Sequence, residues 1–366
     1  MLQFKTTKLQ EMVSKAFKGV GNNKLKPITE LIALKCDAES QGKLTMITTD
    51  GDNYMYVSEE PIEGEHFYAV VQANQFVKLI SRLTSEEVTL NVVNNCLEVR
   101  GNGTYKIPLE IDGGTGEVVD YPDPVRSLTL FLEQDKIGDI SAQDISTILR
   151  ALKPSLATTV EIPQYIHYYM GETVLATDTN VASCYGKKLV STPILVSAAV
   201  MDMLSVYSGD APLWIYKVTN RLLFWGKDFM LLGYVMPGID EFSVDKINDY
   251  LESEYPSMCQ IPKQELLQAL DRLSLFVNDF DEDTIGIAFT ADGLVVSSKQ
   301  SDSVETIPYI KQENMVETTR AVYLFMLSAQ VKAQTGDAVD LYFGEAKSIK
   351  LVDSACNITS VVCLVG

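Results

Sequence analysis

The chain has 366 residues, 46% of them apolar, and its 30 basic against 49 acidic residues give a net charge of −19. That length is too great for one ordinary core and suits two or three domains, and the balance excludes a disordered polymer. The most apolar window, 190–207, is broken by Ser191, Thr192, Pro193 and Asp202, which excludes a bilayer-spanning helix and any membrane partner that would need one.

The first residues run straight into an amphipathic pattern, so no targeting segment is expected there. Leu9, Met12, Val13, Ala16, Phe17 and Val20 fall on one helical face. A strand from Leu44 then reaches a polar turn at Asp50, Gly51 and Asp52. A second helix carries Phe76, Val77, Ile80 and Leu83, and a hairpin follows at 88–93 and 97–99, turned at Asn94 and Asn95. Ile145, Ile148, Leu149 and Leu152 mark a third helix that Pro154 stops, and a strand from Val174 ends in Asp178-Thr179-Asn180. The fourth helix starts at Ser197 with Val200, Met201 and Leu204, and its hairpin occupies 213–216 and 222–225 around Thr219 and Asn220. Leu266, Leu267, Leu270 and Leu273 mark the fifth helix, followed by a strand from Leu294 towards Gln300 and Asp302. The sixth spans about 319–334 with Val322, Met326, Leu327 and Val331, and its hairpin lies at 339–343 and 349–351 about Gly344 and Glu345.

These elements repeat. The second helix of each set begins near 73, 197 and 319, at nearly constant steps of 124 and 122 residues. Two linkers, Asp120-Tyr121-Pro122-Asp123-Pro124 and Glu254-Tyr255-Pro256-Ser257, share an acidic-Tyr-Pro signature, and the residue before each proline is held extended. The expected class is α+β, with three domains at 1–121, 122–254 and 255–366, each with two helices on one face of antiparallel sheet. Similar linkers generate an arc, and an arc with complementary ends closes head to tail into a ring.

Charge follows the same division. The windows 7–19, 73–83, 142–153, 197–207, 263–276 and 319–334 carry +6 between them, which leaves −25 on the rest. Their basic side chains include Lys8, Lys15, Lys18, Lys78, Arg82, Arg150, Lys153, Arg272, Arg320 and Lys332. Lys and Arg are good helix formers and populate solvated faces without any ligand. Combined with the repeat, the pattern suits a tube lined by helices and jacketed by acidic sheet, holding duplex DNA through phosphates without base readout.

Catalytic and metal chemistry find little support. His66 and His167 are the two histidines, no GxSxG or HExxH motif is present, and the six cysteines (Cys36, Cys96, Cys184, Cys259, Cys356, Cys363) form no CxxC pair. Unpaired cysteines scattered in this way read as reduced core residues of a cytoplasmic protein. Asp50-Gly51-Asp52 lacks the remaining spacing of a calcium loop, and Asp279-Phe280-Asp281-Glu282-Asp283 reads as a solvated turn. Gly101-Asn102-Gly103 is no dinucleotide fingerprint, and Asn357-Ile358-Thr359 matters as a glycosylation triplet in secreted proteins alone. No cofactor, metal or enzymatic activity is expected.

Taken together, the length, the three sets, the linker prolines, Ala176-Thr177-Asp178 and the early run Lys26-Pro27-Ile28-Thr29-Glu30-Leu31 resemble the bacterial DNA sliding clamps, the beta subunit of the replicative polymerase (DNA polymerase III beta). The resemblance covers the whole chain and lies in the co-linearity of its features. It implies a non-catalytic processivity factor: a head-to-tail homodimer that encircles duplex DNA and tethers the polymerase catalytic subunit, the clamp loader and repair proteins through short peptides. The implied dimer edges are Arg100, Tyr105, Lys106 and Ile107 in the first domain, and Leu275, Phe276, Asp302 and Glu305 in the third. The implied peptide pocket comprises Met170, Thr177, Thr179, Val181, Pro256, Ile261, Tyr323, Met326, Ser348, Val361, Cys363 and Leu364. Two departures bear on that pocket. Where the family has Gly-His-Arg-Leu after Thr-Asp, this chain has Thr179-Asn180-Val181-Ala182, and its usual Met-Pro-x-Arg-Leu end is Cys363-Leu364-Val365-Gly366.

Two other classes make different predictions. A protein-binding scaffold without DNA would keep its function when the helix lysines are neutralised. A metal-dependent hydrolase built on the acidic turns would lose activity on substitution of Asp50 or Asp178. Those two aspartates occupy equivalent turn positions, which favours a structural role.

Overall fold

The computed structural model describes residues 1–36, 42–64, 66–124, 131, 133–159, 161–277, 283–298 and 301–365. The acidic cluster at 279–282, Gln300 and Gly366 lie outside the described residues.

The chain opens with β1 (Leu2–Lys5), α1 (Thr6–Phe17), β2 (Leu31–Cys36), β3 (Leu44–Thr49), β4 (Tyr54–Glu59), β5 (Glu63–Gly64), β6 (Phe67–Gln72), α2 (Ala73–Ile80), β7 (Glu87–Val93), β8 (Cys96–Arg100) and β9 (Thr104–Pro108). It continues through β10 (Lys136–Ile140), α3 (Ala142–Ala151), β11 (His167–Met170), β12 (Val174–Thr177), β13 (Val181–Tyr185), β14 (Ile194–Ser197), α4 (Ala198–Leu204), β15 (Leu213–Val218), β16 (Arg221–Trp225), β17 (Phe229–Tyr234) and α5 (Val244–Glu252). The last set is β18 (Ser257–Pro262), α6 (Lys263–Ser274), β19 (Thr284–Phe289), β20 (Leu294–Ser298), β21 (Val304–Ile307), β22 (Lys311–Glu313), β23 (Thr318–Tyr323), α7 (Leu324–Ala333), β24 (Ala338–Phe343), β25 (Ser348–Asp353) and β26 (Ile358–Val365). One motif therefore recurs six times, twice in each set: a strand running directly into a helix, then three strands.

The helices form where apolar residues share a face. In α1, Leu9, Met12, Val13 and Ala16 are buried at three- and four-residue spacing. The hairpins turn where their residues accept a left-handed backbone: Asn94 and Asn95 have φ of 49° and 58°, and Thr219 has 50°. Both linker tyrosines are anchored. The Tyr121 hydroxyl donates to the Leu31 carbonyl, its amide donates to the Tyr68 hydroxyl, and the Tyr255 and Ser348 hydroxyls lie 2.6 Å apart. These linkers are ordered, as the prolines predict.

Three expectations change. The sixth helix begins at Leu324 rather than near 319, because the β-favouring run Thr318–Tyr323 pairs with β19 as a strand, and Arg320 therefore lies on a strand. The other predicted windows are also longer than the helices, most clearly 73–83 against Ala73–Ile80 and 197–207 against Ala198–Leu204. The helix α5, which buries Ile247 and Leu251, has no counterpart in the other sets among the described residues, so a search for repeats passes over it.

By contacts the chain forms two compact units, Met1–Ala142 with Ala199–Val235, and Gln143–Ala198 with Met236–Gly366. Residues 122–254, read above as one domain, contribute to both. The first unit holds a five-stranded sheet, β5-β1-β7-β8-β9, and an eight-stranded sheet, β10-β15-β16-β17-β4-β3-β2-β6. One of its cores gathers Leu31, Ile47, Tyr56, Val70, Tyr121, Leu223 and Leu232. The second unit holds thirteen strands, β14-β11-β12-β13-β26-β23-β19-β20-β21, with β25, β24, β18 and β22 branching from β26.

The pairing obeys a rule. The strand before each helix pairs antiparallel with the first strand after the other helix of its set: β1 with β7, β6 with β2, β10 with β15, β14 with β11, β18 with β24, and β23 with β19. Four of the six last strands instead reach into a different set. Strand β17 pairs with β4 (Phe229 opposite Val57), and β26 pairs with β13 (Val362 opposite Val181). Two last strands remain: among the described residues, β9 pairs with β8 alone and β21 with β20 alone.

Candidate functional site

The predicted DNA-facing cations divide by what they touch. Lys8, Lys18, Lys78 and Arg82 are exposed on or just after α1 and α2, and Lys332 is exposed on α7. Lys8 lies 3.8 Å from Glu11 in an exposed pair that contributes little, and Lys15 donates to the Ser208 hydroxyl at 3.3 Å. Lys153 is exposed in a short 3-10 turn after α3. Arg150 and Arg272 are engaged within the chain. The Arg150 guanidinium donates to the Ala333 carbonyl and lies 3.8 Å from the buried Asp353 carboxylate. Arg272 donates twice to Glu305, at 2.8 and 2.6 Å, and this pairing holds the Glu305 carboxyl below its ordinary range. Arg272, expected on the DNA-facing surface, and Glu305, expected at the dimer edge, are thus paired with each other.

The predicted dimer residues cluster at the two single-paired edges. On β9, Tyr105 is 40% exposed and Lys106 is exposed, whereas Ile107 is 2% exposed and belongs to the core. Arg100 on β8 is bonded to Glu98. The Leu109 amide donates to Asn95 and the Gly101 amide to the Gly103 carbonyl, so by alternation the main-chain groups of Thr104 and Lys106 point away from β8. Beside β21, Leu275 is 79%, Phe276 44% and Val304 59% exposed. Asp302 is also exposed. The Ser298 amide donates to Ser303, so Val304 and Thr306 point outward. Thr104, Val304 and Thr306 were missed in the sequence because no side-chain pattern reveals which strand lies at an edge.

The predicted pocket residues separate into core and rim. Met170, Val181, Ile261, Ser348 and Val361 are at most 2% exposed, and Thr177 is 4% exposed. Val361 packs with Leu175, Leu195, Phe242 and Leu251, whereas its neighbour Val362 faces the opposite cluster with Val181 and Val322. The rim expected from the resemblance would comprise Thr179 and Pro256, which are exposed, and Tyr323, Met326, Cys363 and Leu364, which are half-buried. Met326 and Leu364 pack on the Val181–Val322 cluster, Leu364 stands opposite Val322, and the Cys363 amide donates to the Asn180 carbonyl at 2.8 Å. Burial raises the Cys363 thiol pKa, so the group stays neutral and weakly reactive.

The aspartate beside this rim shapes its turn. The Asp178 Oδ1 accepts the Asn180 and Val181 amides at 2.9 and 2.7 Å, as Asp50 Oδ1 accepts Asp52 and Asn53 at 2.9 and 2.8 Å. The two aspartates thus have the same structural role, and no group of three metal-ligating side chains exists among the described residues. Burial raises the Asp178 pKa, and its amide partners only partly offset that. A raised folded pKa means stability is present below the unfolded pKa and lost as pH rises through the folded one. Asp178→Asn keeps an accepting oxygen without the charge and is expected to match the parent in acid and to melt no lower at pH 7. Asp178→Ala orphans two amides and should lose about 1–2 kcal/mol by thermal or urea unfolding at both pH values.

No family model and no curated protein matches the chain. Among solved structures, the DNA polymerase sliding clamp of Bacillus subtilis superposes with a TM-score of 0.79 at 17% identity, covering 100% of this chain and 98% of that one. The beta subunit of the DNA polymerase of Streptococcus pyogenes gives 0.81 at 12% identity, covering 100% and 99%. The DNA polymerase III beta subunit of Thermotoga maritima gives the same score, identity and coverage. Over its whole length, then, this chain has the α+β fold of the bacterial DNA polymerase sliding clamps.

Proposed function

We propose that the chain is a DNA polymerase processivity factor, a clamp in which two copies join head to tail, encircle duplex DNA and tether a polymerase. The reading takes residues 1–121, 122–254 and 255–366 as three domains. The observation that carries it is the pairing of last strands. Four of the six close two junctions, β4 with β17 and β13 with β26. The same rule leaves β9 and β21, which belong to the first and last domains, to pair with β21 and β9 of a second copy. Two such contacts make a closed, heterologous ring of six domains. The exposed apolar group of Leu275, Phe276 and Val304 supplies the contact surface, and the outward main-chain groups of both edges supply the ladder.

Duplex DNA is held by the exposed helix cations through its phosphates, in a protein whose overall charge of −19 opposes adhesion elsewhere. The reading assigns no catalytic residue and no cofactor, and places the protein in the cytoplasm. Polymerase, loader and repair proteins dock short peptides on the Met326–Leu364 rim. Met326→Glu is expected to remove binding of a polymerase-tail peptide while leaving the melting temperature nearly unchanged. Val361→Asp buries a charge in the core and should destabilise the second unit by several kcal/mol, so it is no selective probe of the site.

Topology tests the function. A clamp loaded on nicked circular DNA stays bound in gel filtration at moderate salt and is lost once the circle is cut. Equal retention on cut and uncut DNA would indicate ordinary surface binding and remove the clamp reading.

A further inference from the structure

The two junctions between sets are built alike and filled differently. In the second unit Ser183 of β13 stands opposite Ser360 of β26, and in the first Met55 of β4 stands opposite Leu231 of β17. Ser183 and Met55 are equivalent, each five residues beyond the turn aspartate, Asp178 or Asp50. The flanking helices match in the same way. Gln330 is the seventh residue of α7 and Leu204 the seventh of α4, while Ser155 and Gly19 each lie thirteen residues beyond the start of α3 and α1. All eight residues are buried. One junction is therefore filled by three hydroxyls and an amide, and the other by three apolar residues and a glycine.

The polar seam satisfies itself. The Gln330 Nε2 donates to the Ser155 Oγ at 2.9 Å, and the Ser183 Oγ donates to the Gln330 Oε1 at 3.2 Å. The Ser155 and Ser360 hydroxyls lie 2.6 and 2.8 Å from the Ser183 Oγ. The single proton of Ser183 goes to Gln330, so both of those hydroxyls donate to it. No buried side-chain atom of the four lacks a partner. Ser155 and Ser183 belong to the second set, Gln330 and Ser360 to the third, and three of the four bonds cross between them. The first junction has no room for such a network. A Cβ on Gly19 would lie 2.3 Å from the Thr48 Oγ1 and 2.8 Å from the Met55 Cβ. The Thr48 hydroxyl itself donates within its own set, to the Ala16 carbonyl at 2.8 Å.

We propose that these two seams are a pairing code that fixes the order in which the sets join. Strands β17 and β26 end the same motif, and both junctions are antiparallel ladders, whose main-chain bonds do not tell one partner from another. A wrong junction, within the chain or with a second copy of it, mixes the seams. Strand β26 on β4 sets Ser360 and Gln330 against Met55 and Gly19, and β17 on β13 sets Leu231 and Leu204 against Ser183 and Ser155. Each buried polar group left without a partner disfavours the mixed junction by roughly tenfold or more. The polar seam thus selects its complement by the bonds it needs, and the apolar seam rejects the same groups.

The test uses the full-length chain. Gln330→Met alone strands two hydroxyls and is expected to melt about 6 °C lower. The fourfold variant Ser155→Ala, Ser183→Ala, Gln330→Met and Ser360→Ala keeps similar shapes and strands nothing, so it should melt within about 3 °C of the parent. Its two seams are then both apolar, and discrimination is lost. After dilution from urea at micromolar concentration, light scattering coupled to gel filtration should find at least about twice the parent's fraction in mixed oligomers. That readout separates pairing from stability, since a seam that only stabilised the chain would leave a variant of equal melting temperature refolding cleanly. A fourfold variant that melts as low as Gln330→Met, or that refolds with the parent's distribution, overturns the proposal.

Discussion

Lys106→Pro is expected to leave each copy folded and to separate the copies from one another. The main-chain groups of Lys106 point away from β8, so the proline removes no hydrogen bond within the chain, and edge positions of this kind tolerate it. The same N–H would face β21 of the second copy. Its loss, with the steric clash of the ring, should weaken self-association by roughly a hundredfold, about 3 kcal/mol. Thr306→Pro on the opposite edge should do the same, since Thr306 also points outward. Light scattering coupled to gel filtration distinguishes monomer from dimer, and circular dichroism checks the fold. A dimer that survives both substitutions at low micromolar concentration would place the interface elsewhere.

The second large effect concerns DNA. Replacing Lys8, Lys78, Arg82 and Lys332 together by alanine should sharply shorten retention on circular DNA. Each phosphate contact contributes about 0.9 to the slope of log affinity against log salt, so the slope should fall by about 3 to 4. Arg150→Ala and Arg272→Ala form the contrast. Their guanidinium groups already serve Asp353 and the Ala333 carbonyl, and Glu305, so their removal should leave the slope nearly unchanged. A quadruple variant with the parent's salt slope would instead favour a scaffold that does not use DNA.

Much of the architecture could be read from residue order. The hairpins were legible because Asn94 and Asn95 accept positive φ between alternating apolar runs. The linkers were legible because proline restrains the residue before it, and Tyr121 and Tyr255 indeed anchor them. The start of α7 is not legible, because Val322 and Met326 satisfy helical spacing across a strand–helix junction, where period alone does not locate the boundary.

The candidate sites were legible more coarsely. Val361 and Val362 are adjacent and both apolar, yet they enter opposite clusters, and only the register opposite Ala182 and Val181 settles which faces which. Position alone therefore does not separate core residues such as Met170 and Ile261 from accessible ones such as Met326. The edge strands were invisible for a related reason. Side-chain alternation fixes the buried face of a strand and says nothing about whether its outer main-chain groups have a partner.

The measurement that bears most directly on the central claim is single-particle imaging of the purified protein. The account predicts class averages of a closed ring made of two chains, with a central opening wide enough for duplex DNA. Isolated single-chain particles at every accessible concentration, with the outer edges of β9 and β21 left open, would contradict it.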